Sequence, residues 1–162
     1  MSFEKISLKG RALRYLAMRE HSRAELERKL APHEEVPGEL AQALDELQAR
    51  GFIDEQRVIE SLLYRRASRL GAGRLRQELQ AKGLQGEAVQ QALAGLRDTE
   101  LARARAVWGK RFDHLPTEAS ERARQTRFLM ARGFSSEVVR QVLSGRGAEE
   151  DESMCSEEPD LD

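Results

Sequence analysis

Apolar residues recur along the chain at spacings of three and four, separated by charged residues, nine times over. That is the pattern of helices that each bury one stripe. Leu13, Leu16 and Ala17 form the first stripe, Leu26 and Leu30 the second, and Leu40, Leu44 and Leu47 the third. A long fourth helix carries Val58, Ile59, Leu62, Leu63 and Leu70, a short fifth Leu75 and Leu79, and a sixth Val89, Ala92, Leu93 and Leu96. The last three present Leu101, Ala104, Trp108 and Phe112, then Ala119, Ala123, Phe128 and Leu129, then Val138, Val139, Val142 and Leu143. No run alternates β-branched residues as a strand would, and Pro32, Pro37, Pro116 and Pro159 leave long stretches between them free to coil. The pattern predicts an all-α chain of three tandem three-helix repeats, at residues 7–53, 54–97 and 98–147, followed by a tail at 148–162.

The polar positions punctuate the same division. Ser22 and Glu25 have the spacing of a capping box. Arg50-Gly51-Phe52, Lys82-Gly83-Leu84 and Arg132-Gly133-Phe134 each set glycine between a basic and an apolar residue. A helix can end there with glycine in the left-handed region and the apolar side chain folded back. Asp54 and Ser135 or Ser136 then stand where the next helix needs an N-cap. "KGLQGEAVQQAL", ending at Leu93, is echoed by "RGFSSEVVRQVL", ending at Leu143, so the second and third units are a repeat pair. Stacked units of this kind bury what each leaves exposed, which predicts an elongated body whose lateral or concave face does the work.

Composition narrows the picture. Only 5% of residues are aromatic and 34% are charged, which suits a thin aliphatic core with wide solvated faces. Trp108, Tyr15, Tyr64 and Phe128 lie near helix stripes and are expected in core packing. No long apolar run is present, nor the apolar stretch of a secretory signal, so the expected location is cytoplasmic, with no membrane role. Cys155 has no second cysteine with which to pair, and His21, His33 and His114 are scattered at no metal-ligand spacing, as surface or capping residues would be.

The net charge of −1 conceals a division, because residues 148–162 carry eight acids and no base. The rest of the chain holds 27 bases against 20 acids, a net +7. Residues 65–82 and 101–132 are each +5, while residues 34–60 are −6. Arg65 and Arg69, four apart with Arg66 beside them, share a helix face. Alone this reads as a solvated surface; with two +5 segments in neighbouring units it predicts a continuous basic face able to pair with phosphate or carboxylate.

Catalytic patterns do not emerge. "GAGR" at residues 71–74 lacks the lysine of a phosphate loop and follows no strand, so it reads as a hinge or helix start. Without nucleophile elbow, metal ligands or cofactor motif, the expectation is a protein that is not an enzyme and takes no cofactor.

Four stretches taken together, "ALRYLAMREHSRAELERKL" at 12–30, "RGFIDEQR" at 50–57, "GAGRLRQELQAKGL" at 71–84 and "RFLMARGF" at 127–134, resemble the RecX family of bacterial recombination regulators in order and spacing. The resemblance runs from Gly10 to Leu143. Val58-Ile59 stands where the family commonly has Phe-Ala, and the acidic tail lies outside the shared pattern. The resemblance implies a non-catalytic modulator, mainly an inhibitor, of the RecA recombinase. Such a protein lies in the groove of the RecA filament on single-stranded DNA and reduces filament growth, ATP hydrolysis, strand exchange and assisted repressor cleavage. On that reading the chain acts as a monomer in DNA repair and the SOS response. Charge and repeat position, rather than the resemblance, single out Arg65, Arg66, Arg69, Arg74, Arg76, Lys82, Arg127 and Arg132 as the expected docking residues. A stand-alone helix-turn-helix-like DNA-binding protein, with Arg74 and Arg76 near a recognition helix, and a helical-repeat adaptor remain alternatives. The tail is expected to be disordered, and a bolder expectation has it compete with DNA for the basic face.

Overall fold

The computed structural model describes residues 5–145. Among them nine α-helices and no strand occur: α1 (Leu8–Met18), α2 (Arg23–Leu30), α3 (Glu39–Ala49), α4 (Glu55–Arg66), α5 (Ala72–Ala81), α6 (Glu87–Ala94), α7 (Arg97–Gly109), α8 (Ala119–Ala131) and α9 (Ser136–Ser144). A 3₁₀ turn at Ala31–His33 follows α2. The acidic segment 148–162, with Cys155, lies outside the described residues. The described residues form two compact units, one holding residues 5–67 together with Leu75–Gly95, the other Ser68–Arg74 together with residues 96–145.

In the first unit α1, α2 and α3 pack on one another around Leu8, Ala12, Leu26, Leu30, Leu40, Leu44, Leu47 and Ile53. Val58, Ile59 and Leu62 of α4, Leu75 and Leu79 of α5, and Val89 and Leu93 of α6 are buried as well. Ser22 closes a complete capping box: its hydroxyl accepts from the Glu25 N–H, and its own N–H donates to the Glu25 carboxylate at 2.8 Å. Asp54 caps α4 by accepting from the Arg57 N–H.

Several expectations for this unit need correction. Ala17 is exposed, because Leu8 and Ala12 set the inward stripe of α1 and Leu13 and Leu16 only flank it. Tyr64 is 91% exposed rather than in the core. It follows inward-facing Leu62 by two residues, about 200° around the helix. Phe52 is 47% exposed although its N–H closes on the Leu47 carbonyl, because Ile53 takes the core place instead. His21 is not at the surface, and its ring engages the carbonyl of Arg19, the C-cap residue of α1. It is 2% exposed, its Nδ1 lies 2.9 Å from the Arg19 carbonyl oxygen, and its ring centroid is 5.6 Å from that of Tyr15. Burial lowers its pKa, favouring the neutral ring.

In the second unit α7, α8 and α9 enclose Ala104, Val107, Leu129, Phe134, Val139, Val142 and Leu143, with Trp108 and Phe128 packed at the margin. Ala119 and Ala123 are exposed, whereas Gln125 is buried. Its amide oxygen accepts from the Trp108 indole N–H at 2.8 Å, and its amide nitrogen donates to the His114 carbonyl at 3.2 Å, which satisfies a polar side chain that burial would otherwise penalise. Leu70 is buried but outside α4, which stops at Arg66. The chain leaves the helix there because Gly71 and Gly73 turn their N–H groups to the carbonyls of Arg132 and Gly133, at 2.8 and 3.0 Å. A Cβ on Gly71 would lie 2.4 Å from the Gly133 oxygen, so only glycine permits this contact. "GAGR" is thus the start of α5, with the N–H groups of Gly71, Ala72 and Gly73 already engaged.

Candidate basic interface

Charge is divided unequally between the units. Among the described residues the first unit has 14 bases and 13 acids, a net +1, and the second has 12 bases and six acids, a net +6. Of the eight cations read from the sequence, Arg65, Arg66, Arg76 and Lys82 lie in the first unit and Arg69, Arg74, Arg127 and Arg132 in the second.

Two of the four in the first unit are committed to carboxylates of the chain itself. The Arg66 guanidinium forks onto Glu78, Nε to Oε2 at 3.1 Å and Nη2 to Oε1 at 2.7 Å, and this pairing raises its pKa. The Lys82 ammonium donates to Glu25 at 2.7 Å, as does Arg19 at 2.9 Å. Burial alone would raise the Glu25 carboxyl, but hydrogen bonds from Arg19, Lys82 and the Ser22 backbone outweigh it and hold the group at about 2. The Ser22 hydroxyl also donates to the Lys82 carbonyl at 2.5 Å, so this cluster ties α2 to the end of α5. Arg65 and Arg76 are exposed; Arg65 donates only to the Ser61 carbonyl of its own helix, at 3.1 Å.

The second unit brings Arg69 and Arg132 together. With Ser68, Val107, Lys110, Arg111 and Phe128 they line an open cleft of about 580 Å³. Among the described residues no carboxylate pairs with the side chains of Arg69, Lys110, Arg111 or Arg132. The Arg132 guanidinium lies 4.0 Å from the centre of the Phe128 ring, and Phe128 meets Phe112 edge to face at 5.1 Å. Arg124 stands over Phe112 at 5.7 Å beside an adjoining cleft formed with Arg111 and Phe128. A guanidinium over a ring face can still offer its N–H groups to an anion. The cleft therefore offers fixed donors and an aromatic face to a polyanion. Arg127 is exposed on α8 and does not line it, and Arg74 sits at the start of α5 with its backbone against Gly133.

Lys110, Arg111 and Arg124 were not among the residues chosen from the sequence. A signal for them exists: Arg124, Phe128 and Arg132 are spaced by fours, and "WGKRF" interleaves bases with aromatics. Stripe counting assigns such aromatics to the core before asking which cations they could carry.

The fold is that of a tandem three-helix-repeat protein, with a cluster of cations on its second unit. Residues 9–47, 54–93 and 98–143 match, in that order, the first, second and third three-helix domains of RecX. The chain is 60% identical to the regulatory protein RecX of Leptothrix cholodnii over 138 residues, 85% of this chain and 88% of that one. It is 49% identical to the regulatory protein RecX of Ralstonia nicotianae, over 88% and 90% of the two chains. The crystal structure of RecX from Lactobacillus salivarius shares the fold, with a TM-score of 0.72 at 19% identity, covering 85% of this chain and 92% of that one. The chain belongs to the RecX family of regulatory proteins. No helix among the described residues is long and apolar enough to cross a membrane.

Proposed function

We propose that this protein modulates, and mainly inhibits, the RecA recombinase by lying in the groove of the RecA filament on single-stranded DNA. There it would reduce filament growth, ATP hydrolysis, strand exchange and assisted repressor cleavage, as a monomeric, non-catalytic factor in the cytoplasm. The observation that carries the reading is the presence, on a chain of the RecX family, of exposed or partly exposed arginines in both compact units that have no carboxylate partner among the described residues. Arg65 and Arg76 of the first unit and Arg69, Arg127 and Arg132 of the second are the contacts we assign to acidic RecA surface or DNA phosphate, with Arg74 beside them. Arg66 and Lys82 serve the interface by fixing the helices that carry it, through Glu78 and Glu25.

The test is the time course of ATP hydrolysis by RecA preassembled on single-stranded DNA, with this protein added substoichiometrically. A progressive fall is expected, and Arg65→Glu with Arg69→Glu should weaken it while helical content is unchanged. No fall even at stoichiometric excess rejects the reading. Sequence-selective duplex binding in the absence of RecA would favour a stand-alone DNA-binding protein instead.

A further inference from the structure

The cation-rich cleft of the second unit has a polyanion on its own chain. α9 belongs to that unit and ends at Ser144, and residues 146–162 follow it. Residues 148–162 carry eight acids and no base, against a net +6 on the unit to which they are joined and only +1 on the other. Seventeen extended residues span roughly 55 Å. A unit of this size has a radius of gyration on the order of 10 Å, so every face of it is within the tail's reach.

We propose that the cleft lined by Arg69, Val107, Lys110, Arg111, Phe128 and Arg132 is a seat for an acidic peptide, and that its occupant in the unbound protein is the chain's own segment 148–162. The chemistry of the two is complementary in kind as well as in sign. Carboxylates of the "EEDE" and "SEEPDLD" stretches meet the guanidinium edges and the Lys110 ammonium. Met154 or Leu161 can lie on Val107 and the Phe128 ring. Tethering converts a weak, screened attraction into an intramolecular one. The seat shares Arg69 and Arg132 with the interface assigned above, so a seated tail must leave before those arginines can engage a filament. The existence of the seat does not depend on that reading.

Two singular residues allow a test on the full chain without RecA or DNA. Cys155 is the only cysteine and lies in the tail, and Trp108 is the only tryptophan, on α7 next to Val107. A nitroxide attached at Cys155 quenches the indole only at close range. At low salt and high dilution we expect Trp108 to be quenched, and raised salt to release it. Arg69→Ser with Lys110→Ser and Arg111→Ser should lower the docked-to-free ratio about tenfold, the effect of three exposed ion pairs of ordinary strength. Arg97→Ser with Arg122→Ser and Arg140→Ser removes equal charge from exposed positions of the same unit outside the cleft, and should leave quenching nearly unchanged. Absence of quenching overturns the proposal, as does equal loss in both triple variants, which would mean diffuse attraction. Quenching that fades on dilution overturns it too, since the tail would then be docking on a second copy. Each of these results leaves the filament reading standing, because no filament is present.

Discussion

Glu25 carries opposing effects on a single carboxyl: burial disfavours its charge, while Arg19, Lys82 and the Ser22 N–H stabilise it, and the balance moves its pKa from an ordinary 4.5 to about 2. The folded value lies below the unfolded one, so the stabilisation is complete at neutral pH and is lost as pH falls from about 4.5 to about 2. The displacement corresponds to about 3 kcal/mol. Glu25→Gln should lose an amount of this order at pH 7 in urea unfolding and should lack that part of the acid dependence; an unchanged midpoint would show that the cluster does not stabilise the fold. Tyr64→Ala, by contrast, should change stability by no more than about 0.5 kcal/mol in the same measurement, because the ring is exposed. The two residues also show what the sequence makes legible. The Ser22–Glu25 spacing announces a capping box, but nothing local announces that Lys82, 57 positions away, completes the carboxylate's shell. The aromatic character of Tyr64 points inward, but its helical angle from Leu62 turns it to solvent.

Helix ends were legible where the signal is local. Gly51, Gly83 and Gly133 all have positive φ, at 78°, 76° and 85°, and in each case the following N–H closes on a carbonyl five residues back. The repeat pair persists into three dimensions: Leu79 and Leu129, Leu84 and Phe134, Val89 and Val139, and Leu93 and Leu143 are all buried. The start of α5 was legible in Gly71–Arg74 as a hinge or helix start, but what fixes it was not, because its determinant is a tertiary contact with the end of α8. Gly71→Ala would place its Cβ 2.4 Å from the Gly133 oxygen and 2.4 Å from the Phe134 nitrogen, backbone atoms that cannot swing aside. We expect a loss of about 2–4 kcal/mol, in the range of overpacking combined with broken backbone hydrogen bonds. Gly109→Ala, in α7 with open space around the added methyl, is the matched control and should be neutral or stabilising by up to about 1 kcal/mol. Thermal melts of both variants decide the matter. Equal transition temperatures would mean that the α5–α8 contact relaxes without cost.

At the scale of the molecule, net charge distinguishes the two units, and this segregation makes a prediction about salt. Cations of the first unit are interleaved with nearly equal numbers of acids, so their attraction is short-ranged; the +6 of the second unit projects further and governs encounter with a polyanion. Sequence windows revealed the +5 segments but not this division, because the segment at 65–82 is shared between the units and two of its cations, Arg66 and Lys82, are matched by Glu78 and Glu25. If the cleft contacts phosphate, each neutralised phosphate on a single strand contributes about 0.7 to the slope of log affinity against log salt. Arg69→Ser with Lys110→Ser and Arg111→Ser should then flatten the slope for binding to a RecA filament on single-stranded DNA by about 2. If Arg65 and Arg76 meet protein carboxylates, which release no condensed counterions, Arg65→Ser with Arg76→Ser should weaken binding with a smaller change of slope. Measuring both variants by anisotropy across a salt series distinguishes the cases. A flattening of about 1.4 by the second variant, about 0.7 for each of its two cations, would place phosphate contacts on both units, and an unchanged slope in the cleft variant would assign its cations to protein carboxylates.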